Sequence, residues 1–190
     1  TSTAVPTKVA SKASGFFESL NDLRNSSGAA QPNIDVRQLA ERVHALINAE
    51  RNKNGLGPLA FDSKIASIAQ NHSVDMALND YFAHDNLQGL DPTDRGATVG
   101  YDCIKRYGTR YTFGLAENIH QGWLYSSTTY FNGVPIRDWN TQDELTVVAV
   151  RGWMNSAGHR ENILTDTYDR SGVGVAIAED DKVYITQNFC

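Results

Sequence analysis

Apolar residues recur at helical spacing in the first half of the chain. The first after Asp35 is Val36. The next ones lie three, four, seven, ten and eleven positions after it, at Leu39, Ala40, Val43, Leu46 and Ile47. This spacing predicts an amphipathic helix, which Gly55, Gly57 and Pro58 end. Asp62 suits the N-cap of a second helix, whose apolar face comprises Ile65, Ile68, Ala69, His72 and Met76. Because of this position we interpret His72, and likewise His44, as core histidines rather than ligands.

The last third of the chain changes its pattern from helix to strand. Thr141 and Glu144 form a capping-box sequence ahead of Leu145, Val148, Ala149, Gly152 and Trp153, which share one helical face. The β-rich runs 172–178 and 182–189 then flank the turn residues 179–181, which predicts a hairpin. Helices early, strands late and no strand–helix–strand alternation predict an α+β fold in layers.

The middle of the chain is rich in turn residues and then in aromatic residues. Glycines break residues 85–115, where a short helix begins near Thr93. Residues 120–140 contain five aromatic side chains: Trp123, Tyr125, Tyr130, Phe131 and Trp139. We interpret them as filling a local core. The alternative is an exposed surface that contacts a glycan, a lipid or a protein.

Composition and charge restrict the function classes. The 190 residues carry a net charge of -5 and have an isoelectric point of about 5.5, which argues against binding to a nucleic-acid backbone. No apolar stretch approaches the roughly 18–20 residues that span a bilayer. The first residue is Thr1, and we interpret this start as the product of processing, for example removal of a signal peptide.

Residues 1–34 differ from the remainder. They are dominated by small and polar residues, with one small apolar cluster at Phe16, Phe17 and Leu20. Such a segment cannot offset its ordering entropy by itself. We therefore predict an N-terminal arm over 1–34 and a domain over 35–190. The arm docks either on its own domain or on a neighbouring copy, with which it would assemble.

The chain contains two cysteines, Cys103 and Cys190. In a secreted protein an intrachain disulfide is the favoured interpretation, and two separate thiols or an intermolecular bond are the alternatives.

Three residues supply the candidate chemistry. His84, Glu117 and His159 together offer two imidazoles and a carboxylate, which is a donor set for a divalent cation such as Zn²⁺ with one position open to water. A His-Glu-x-x-His motif is absent from the sequence, so a metalloprotease of that type is not expected. A polar network that only stabilises the fold is the competing interpretation.

Eight short motifs occur in an order that resembles one protein family, the CAP superfamily (cysteine-rich secretory proteins, antigen 5 and pathogenesis-related 1; also called SCP-like), and in particular its prokaryotic branch. The motifs are Leu46–Arg51 (LINAER), Leu59–Asp62 (LAFD), Ala69–Ala77 (AQNHSVDMA), Tyr81–His84 (YFAH), Pro92–Arg95 (PTDR), Ala116–Ile119 (AENI), Trp153–Leu164 (WMNSAGHRENIL) and Ser171–Ala176 (SGVGVA). Each motif alone is weak, but their order over most of the chain is specific.

The resemblance implies a three-layer α-β-α sandwich, an extracellular location and a central cleft. His84 and His159 match the two cleft histidines of the family, and Glu117 matches its first cleft glutamate. The second glutamate corresponds to Ser156 here, as in many prokaryotic members. We interpret Ser156 as a helix cap. Its presence weakens the expectation of metal binding that the resemblance carries.

Three functions remain as hypotheses. The first is a secreted CAP-domain protein whose cleft binds a divalent metal. The second is a structural subunit of an extracellular assembly or envelope that uses the arm. The third is a hydrolase that uses the His/Glu cleft, although no Gly-x-Ser-x-Gly motif is present; of the enzymatic and non-enzymatic interpretations, we favour the non-enzymatic.

Overall fold

The computed structural model describes residues 30–190, except the side chain of Tyr107. They fall into two compact units, and the larger comprises Asn33–Leu124 and Asn140–Cys190. In the described residues the smaller unit contains Tyr125–Trp139. Residues 1–29 of the predicted arm lie outside the described part of the chain, so the arm and its assembly stay predictions.

The described residues form five helices and eight strands. The helices are α1 Val36–Lys53, α2 Ser63–Asn79, α3 Pro92–Thr98, α4 Gln142–Asn155 and α5 Ala157–Leu164. The strands are β1 Ala60–Phe61, β2 Ile104–Tyr107, β3 Arg110–Phe113, β4 Ala116–Trp123, β5 Tyr125–Phe131, β6 Val134–Trp139, β7 Arg170–Ile177 and β8 Lys182–Phe189.

A four-stranded sheet of order β1-β7-β8-β4 forms the centre of the larger unit. Strand β1 is parallel to β7, whereas β7–β8 and β8–β4 are antiparallel. Helix α2 packs on β7 and β8, while α1 packs on β7 and on α4, which also contacts β4. Successive side chains of a strand point to opposite faces, and both faces of the sheet are covered. The predicted α+β class and three-layer α-β-α sandwich are confirmed.

Two glycines of β7 allow α2 to lie unusually close to the sheet. A Cβ atom built on Gly172 would lie 2.1 Å from the backbone nitrogen of Ala66, and one on Gly174 would lie 2.1 Å from that of Gln70. Both contacts are with helix backbone, which cannot rotate away as a side chain can. The SGVGVA motif therefore sets the separation between α2 and β7.

The predicted helix starts are confirmed by their capping bonds. Asp35 accepts from the backbone amides of Arg37 and Gln38, and Asp62 accepts from those of Lys64 and Ile65. The capping box predicted at the start of α4 is also formed. The side chain of Thr141 accepts from the backbone amide of Glu144, and the side chain of Glu144 accepts from that of Thr141. These bonds satisfy amides that have no partner inside the helix.

A buried arginine connects α1 to the chain that follows α5. The guanidinium of Arg51 donates to the carbonyls of Gly57, Ile163, Thr165 and Tyr168 over 2.7–3.3 Å. Burial lowers the pKa of Arg51, yet four carbonyl acceptors satisfy its donors. The end of α5 and its exit loop are thereby fixed to α1.

The region predicted as loop after α3 contains a second, two-stranded sheet. Strands β2 and β3 pair antiparallel around Gly108, whose φ of +62° the tight connection uses. A disulfide between Cys103 and Cys190 lies at the base of this hairpin, with a Cα–Cα distance of 5.6 Å. The favoured intrachain bridge is confirmed, and the glycine-broken stretch 85–115 contains this hairpin, which the sequence did not predict.

The smaller unit is a hairpin of β5 and β6. Its two-residue turn is Asn132–Gly133, both with positive φ, as a type I′ turn requires. Tyr125 packs edge-to-face on Trp139 at 5.9 Å. Tyr130 and Phe131, next to the turn, are 73% and 56% exposed. The core-filling interpretation is therefore wrong for these two, because the turn places them at the hairpin tip. It is also wrong for Trp123 of β4, which is 43% exposed.

Within residues 30–190, the structure contains no helix with the length and apolar character that a membrane crossing requires.

Candidate functional site

Glu117 is the centre of a buried polar network at the start of β4. It lies opposite Asn188 of β8 in the sheet register, and its side chain is 1% exposed. One carboxylate oxygen, Oε1, accepts from Nδ1 of His84 at 2.9 Å. The other, Oε2, accepts from Nη2 of Arg95 and from Nδ2 of Asn188, the latter at 3.0 Å. Three donors therefore hold a buried negative charge, as its burial demands.

Arg95 of α3 neutralises Glu117 and also fixes the loop that carries His84. Its Nη1 donates to the backbone carbonyls of His84 at 2.6 Å and Leu90 at 3.0 Å. The acid with which Arg95 forms its ion pair is Glu117. One guanidinium thus determines the positions of both members of the histidine–glutamate pair.

The bond to Glu117 sets the tautomer of His84. An ionised carboxylate only accepts hydrogen bonds, so Nδ1 of His84 carries the proton and Nε2 of the neutral ring carries a lone pair. The side chain of His84 is 51% exposed, in contrast to Glu117. The pair therefore presents an oriented imidazole from a buried anchor.

His159 lies in α5, which two asparagines connect to β4. Nδ2 of Asn118 donates to the carbonyl of His159 at 3.0 Å, and Nδ2 of Asn162 donates to the carbonyl of Glu117 at 3.2 Å. The two amides also bond each other at 2.9 Å. The AENI motif of β4 and the HRENIL end of α5 are thus one contact, which positions the half-buried His159 relative to Glu117.

The structure brings His84 to Glu117 and places His159 within electrostatic range of His84. Partial burial, and then the positive charge that His84 can carry, lower the pKa of His159. Within residues 30–190, no three His, Cys, Asp or Glu side chains are arranged to hold one metal ion. The three-residue ligand set His84, Glu117 and His159 stays a prediction.

Ser156 occupies the junction between α4 and α5. It is the C-cap residue of the first helix and the N-cap residue of the second. The predicted cap position of Ser156 is confirmed. The prediction that its side chain caps the helix is wrong, because that side chain makes no capping hydrogen bond. The extended backbone of Ser156, with φ -96° and ψ 124°, makes the break between the helices.

His72 contributes a second imidazole behind Glu117. It is buried on α2, and its Nε2 donates to the carbonyl of Ala83 at 2.9 Å. The same nitrogen lies 3.8 Å from Oε1 of Glu117. Burial lowers the pKa of His72, against the opposing effect of the Glu117 charge. The prediction of a core histidine is confirmed, and this histidine helps to support the loop before His84.

His120 was not singled out from the sequence. It lies on β4, packs edge-to-face on Trp153 at 6.5 Å, and occupies space that a Cβ on Gly122 would enter, at 2.9 Å from Nε2. Burial lowers the pKa of His120 to about 4, and the neighbouring His159 acts in the same direction. The spacing His-x-Gly on a strand was its only sequence signal.

The low pKa of His120 predicts that acid destabilises the fold. Between pH 6.5 and about 4 the unfolded chain binds a proton at His120 that the folded chain does not. Stability is therefore fully present above pH 6.5 and is lost as the pH falls towards 4, by about 2–3 kcal/mol from this group. Urea unfolding of the wild type and His120→Gln across this range measures the effect, and His120→Gln is expected to flatten the curve. Equal slopes in the two proteins would contradict the prediction.

The fold and the polar network around Glu117 together define a three-layer α-β-α domain with a histidine–glutamate pair at one end of its sheet. The sequence model described as CAP, the cysteine-rich secretory protein family, matches residues 44–189. The chain therefore belongs to the CAP family.

Bacterial proteins are among its relatives. The chain is 30% identical over 171 residues to the protein YkwD of Bacillus subtilis (strain 168), covering 90% of this chain and 53% of that protein. It is 33% identical over 149 residues to the membrane protein YlbC of the same organism, covering 78% of this chain and 33% of that protein. The chain thus spans about half or less of these curated relatives.

Solved structures show the same fold. An extracellular protein of Bacillus anthracis containing an SCP domain superimposes with a TM-score of 0.57 at 27% identity, covering 80% of this chain and 40% of that one. An outer surface protein of Borrelia burgdorferi gives a TM-score of 0.60 at 17% identity, covering 84% of this chain and 96% of that one. These neighbours are described as extracellular or outer-surface proteins.

Proposed function

We propose that this chain is an extracellular CAP domain whose cleft binds a divalent metal cation through the imidazoles of His84 and His159. The observation that carries the proposal is the 2.9 Å hydrogen bond from Nδ1 of His84 to Glu117. A metal-binding histidine commonly donates its other ring nitrogen to a carboxylate, which fixes the tautomer and orients the ring. Glu117 supplies that support from a buried position.

The arrangement fits two imidazole ligands better than the three-residue set. Both oxygens of Glu117 already accept bonds, and Arg95 compensates its charge. A cation at Glu117 would have to displace Arg95 or His84. We therefore assign Glu117 to orientation of His84, and water to the remaining coordination positions. A bound Zn²⁺ supplies Lewis acidity and lowers the pKa of its bound water.

The protonation state of the cleft supports the same assignment. A histidine ligates a metal only as the neutral ring, and the lowered pKa of His159 favours that form at neutral pH. The repulsion between His84 and His159 that contributes to this shift disappears when a cation accepts both lone pairs. Zn²⁺ with imidazole nitrogen is a standard pairing of metal and ligand.

The extracellular part of the proposal is supported by the disulfide and by the neighbours. Disulfides persist in oxidising compartments and are rare in the cytosol, and the described residues contain the Cys103–Cys190 bridge. The solved neighbours from B. anthracis and B. burgdorferi are described as extracellular and outer-surface proteins.

Calorimetric titration with Zn²⁺ at a pH of about 7.5, above the reference pKa of histidine, tests the site. Wild type is expected to bind one equivalent, whereas His84→Ala and His159→Ala each lose measurable binding. Glu117→Gln keeps an acceptor for His84 and is expected to weaken binding by about 10–100-fold without abolishing it, as for other residues that support a metal ligand. Affinity should fall as the pH is lowered, because protons compete for the two rings.

His44→Ala is the matched control, because His44 packs on Phe61 rather than on any residue of the cleft network. It is expected to bind Zn²⁺ as tightly as wild type does. Circular dichroism of every variant separates loss of a ligand from loss of the fold. The proposal fails if folded wild type takes up no Zn²⁺, or if His84→Ala/His159→Ala binds as wild type does.

A further inference from the structure

The β2–β3 hairpin concentrates positive charge on an otherwise acidic chain. Its ten residues, 104–113, include three of the 17 basic residues, Lys105, Arg106 and Arg110, and none of the 22 acidic ones. Lys105 is paired with Asp169 at the base of the hairpin. Neither Arg106 nor Arg110 forms an ion pair with an acidic side chain of the described residues, so both charges are available to a partner.

The same hairpin exposes apolar side chains on one face. The register pairs Ile104 with Phe113 and Arg106 with Tyr111, and since cross-strand partners and alternate residues share a face, these four side chains lie together. Ile104, Tyr111 and Phe113 are 45%, 66% and 56% exposed. The four line an open concavity of about 490 Å³, and no other described residue contributes to it.

Two contacts attach the base of the hairpin to the rest of the domain. Lys105 points to the other face, where its side chain is 12% exposed and pairs with Asp169. The disulfide attaches Cys103 to Cys190, and the amide of Gly114 donates to the carbonyl of Cys103 at 3.0 Å. The hairpin is therefore held on the domain at its base, whereas all four residues of β3 are exposed, including Tyr111 and Phe113.

From this geometry we infer that the β2–β3 hairpin docks the domain onto an anionic phospholipid surface. Aromatic rings and the stems of arginines are suited to the boundary between headgroups and acyl chains. Arg106 shares this face with the apolar side chains and is placed to contact phosphate oxygens. Arg110 belongs to the opposite face, but it is exposed beside the turn and adds positive charge at the tip of the hairpin. The net charge of -5 repels an anionic bilayer from the rest of the chain, so attraction confined to this hairpin also sets the orientation of docking. Exposed apolar area with local positive charge distinguishes this face from a solvated charged surface.

Co-sedimentation with vesicles tests the inference. Vesicles of phosphatidylglycerol and phosphatidylcholine at low ionic strength are expected to bind wild type at least about tenfold more strongly than vesicles of phosphatidylcholine alone, and added salt should reduce the binding. Arg106→Glu/Arg110→Glu is expected to lose at least about tenfold in partitioning. Tyr111→Ser, which leaves the charge unchanged, is expected to lose several-fold.

Arg37→Glu/Arg151→Glu is the matched control, since it changes net charge equally at two exposed arginines of α1 and α4. The control measures how much vesicle binding is lost through general charge repulsion. The loss in Arg106→Glu/Arg110→Glu must be larger than this. The inference is overturned if both double variants lose binding equally, if neutral vesicles bind as well as anionic ones, or if light scattering shows that this face forms a dimer instead.

Discussion

A Gly174→Ala variant is expected to lose about 3 kcal/mol of unfolding free energy, at the upper end of the usual cost of overpacking. The added Cβ would lie 2.1 Å from the backbone nitrogen and 2.2 Å from the Cα of Gln70. No rotamer relieves this contact, so α2 must move away from β7. The movement also breaks the bonds between the Gln70 side chain and the backbone of Val175, at 2.9 and 3.0 Å. Chemical denaturation monitored by circular dichroism measures the loss.

Gly152→Ala is the control for that experiment. Gly152 lies in α4, has nothing within 4 Å of its built Cβ, and does not adopt a positive φ. Alanine there is expected to stabilise by about 0.5–1 kcal/mol, because glycine costs conformational entropy within a helix. If the two variants changed stability alike, close approach of α2 to β7 would not be the reason for glycine at position 174.

Glu117→Gln is expected to lower the unfolding free energy by about 3–5 kcal/mol, because it leaves the buried Arg95 without its counter-charge. Arg95 is only 8% exposed. A glutamine oxygen can still accept its hydrogen bond but does not neutralise its charge. The same change loosens the loop of His84, since Arg95 holds that loop through the His84 carbonyl. Urea unfolding of the two proteins measures the difference.

A double-mutant cycle isolates the contribution of the ion pair. Arg95→Met/Glu117→Gln is expected to lose about 2–3 kcal/mol less unfolding free energy than the two single variants lose in sum. The exposed pair Arg42–Asp143, at 44% and 77% side-chain exposure, is the comparison, and its coupling should stay below about 1 kcal/mol. Similar coupling in both pairs would show that the charge of Glu117 does not hold the site together.

The helical and terminal strand regions followed from the sequence because their signals are local. Apolar spacing from Val36 and caps at Asp35 and Asp62 depend on neighbours within one or two turns, and the structure reproduces both helices. The turn at 179–181 likewise separates two β-rich runs that pair along their length. The resemblance then supplied the layer arrangement, which periodicity alone does not determine.

The two middle hairpins were missed for different physical reasons. Around Gly108 each strand of the hairpin is only four residues long, and two basic residues, Lys105 and Arg106, interrupt the apolar pattern of β2. At Asn132–Gly133 a strong turn signal was present, but the number of aromatic residues favoured core formation instead. Exposure of Tyr130 and Phe131 follows from that turn, not from their hydrophobicity.

The contact between His84 and Glu117 followed from the sequence, but the other partners of Glu117 did not. His84 and Glu117 meet as the resemblance implied, but Arg95 and Asn188 occupy the second carboxylate oxygen. Those partners are 22 and 71 residues from Glu117 in sequence, and only the sheet register and the packing of α3 bring them there. His120 was missed because its burial depends on Trp153 of a different element.

The strand order β1-β7-β8-β4 has a consequence for the order of synthesis. Among the four strands of this sheet, the two central strands β7 and β8 are made last. Of the edge strands, β1 is made more than a hundred residues before β7, and β4 about fifty residues before it. Until residues 170–189 emerge, neither edge strand has its sheet neighbour, and α2 lacks the strands on which it packs. Closing such long-range pairs is slow, so we expect a nascent chain stopped before β7 to be protease-sensitive over its whole sheet-forming length.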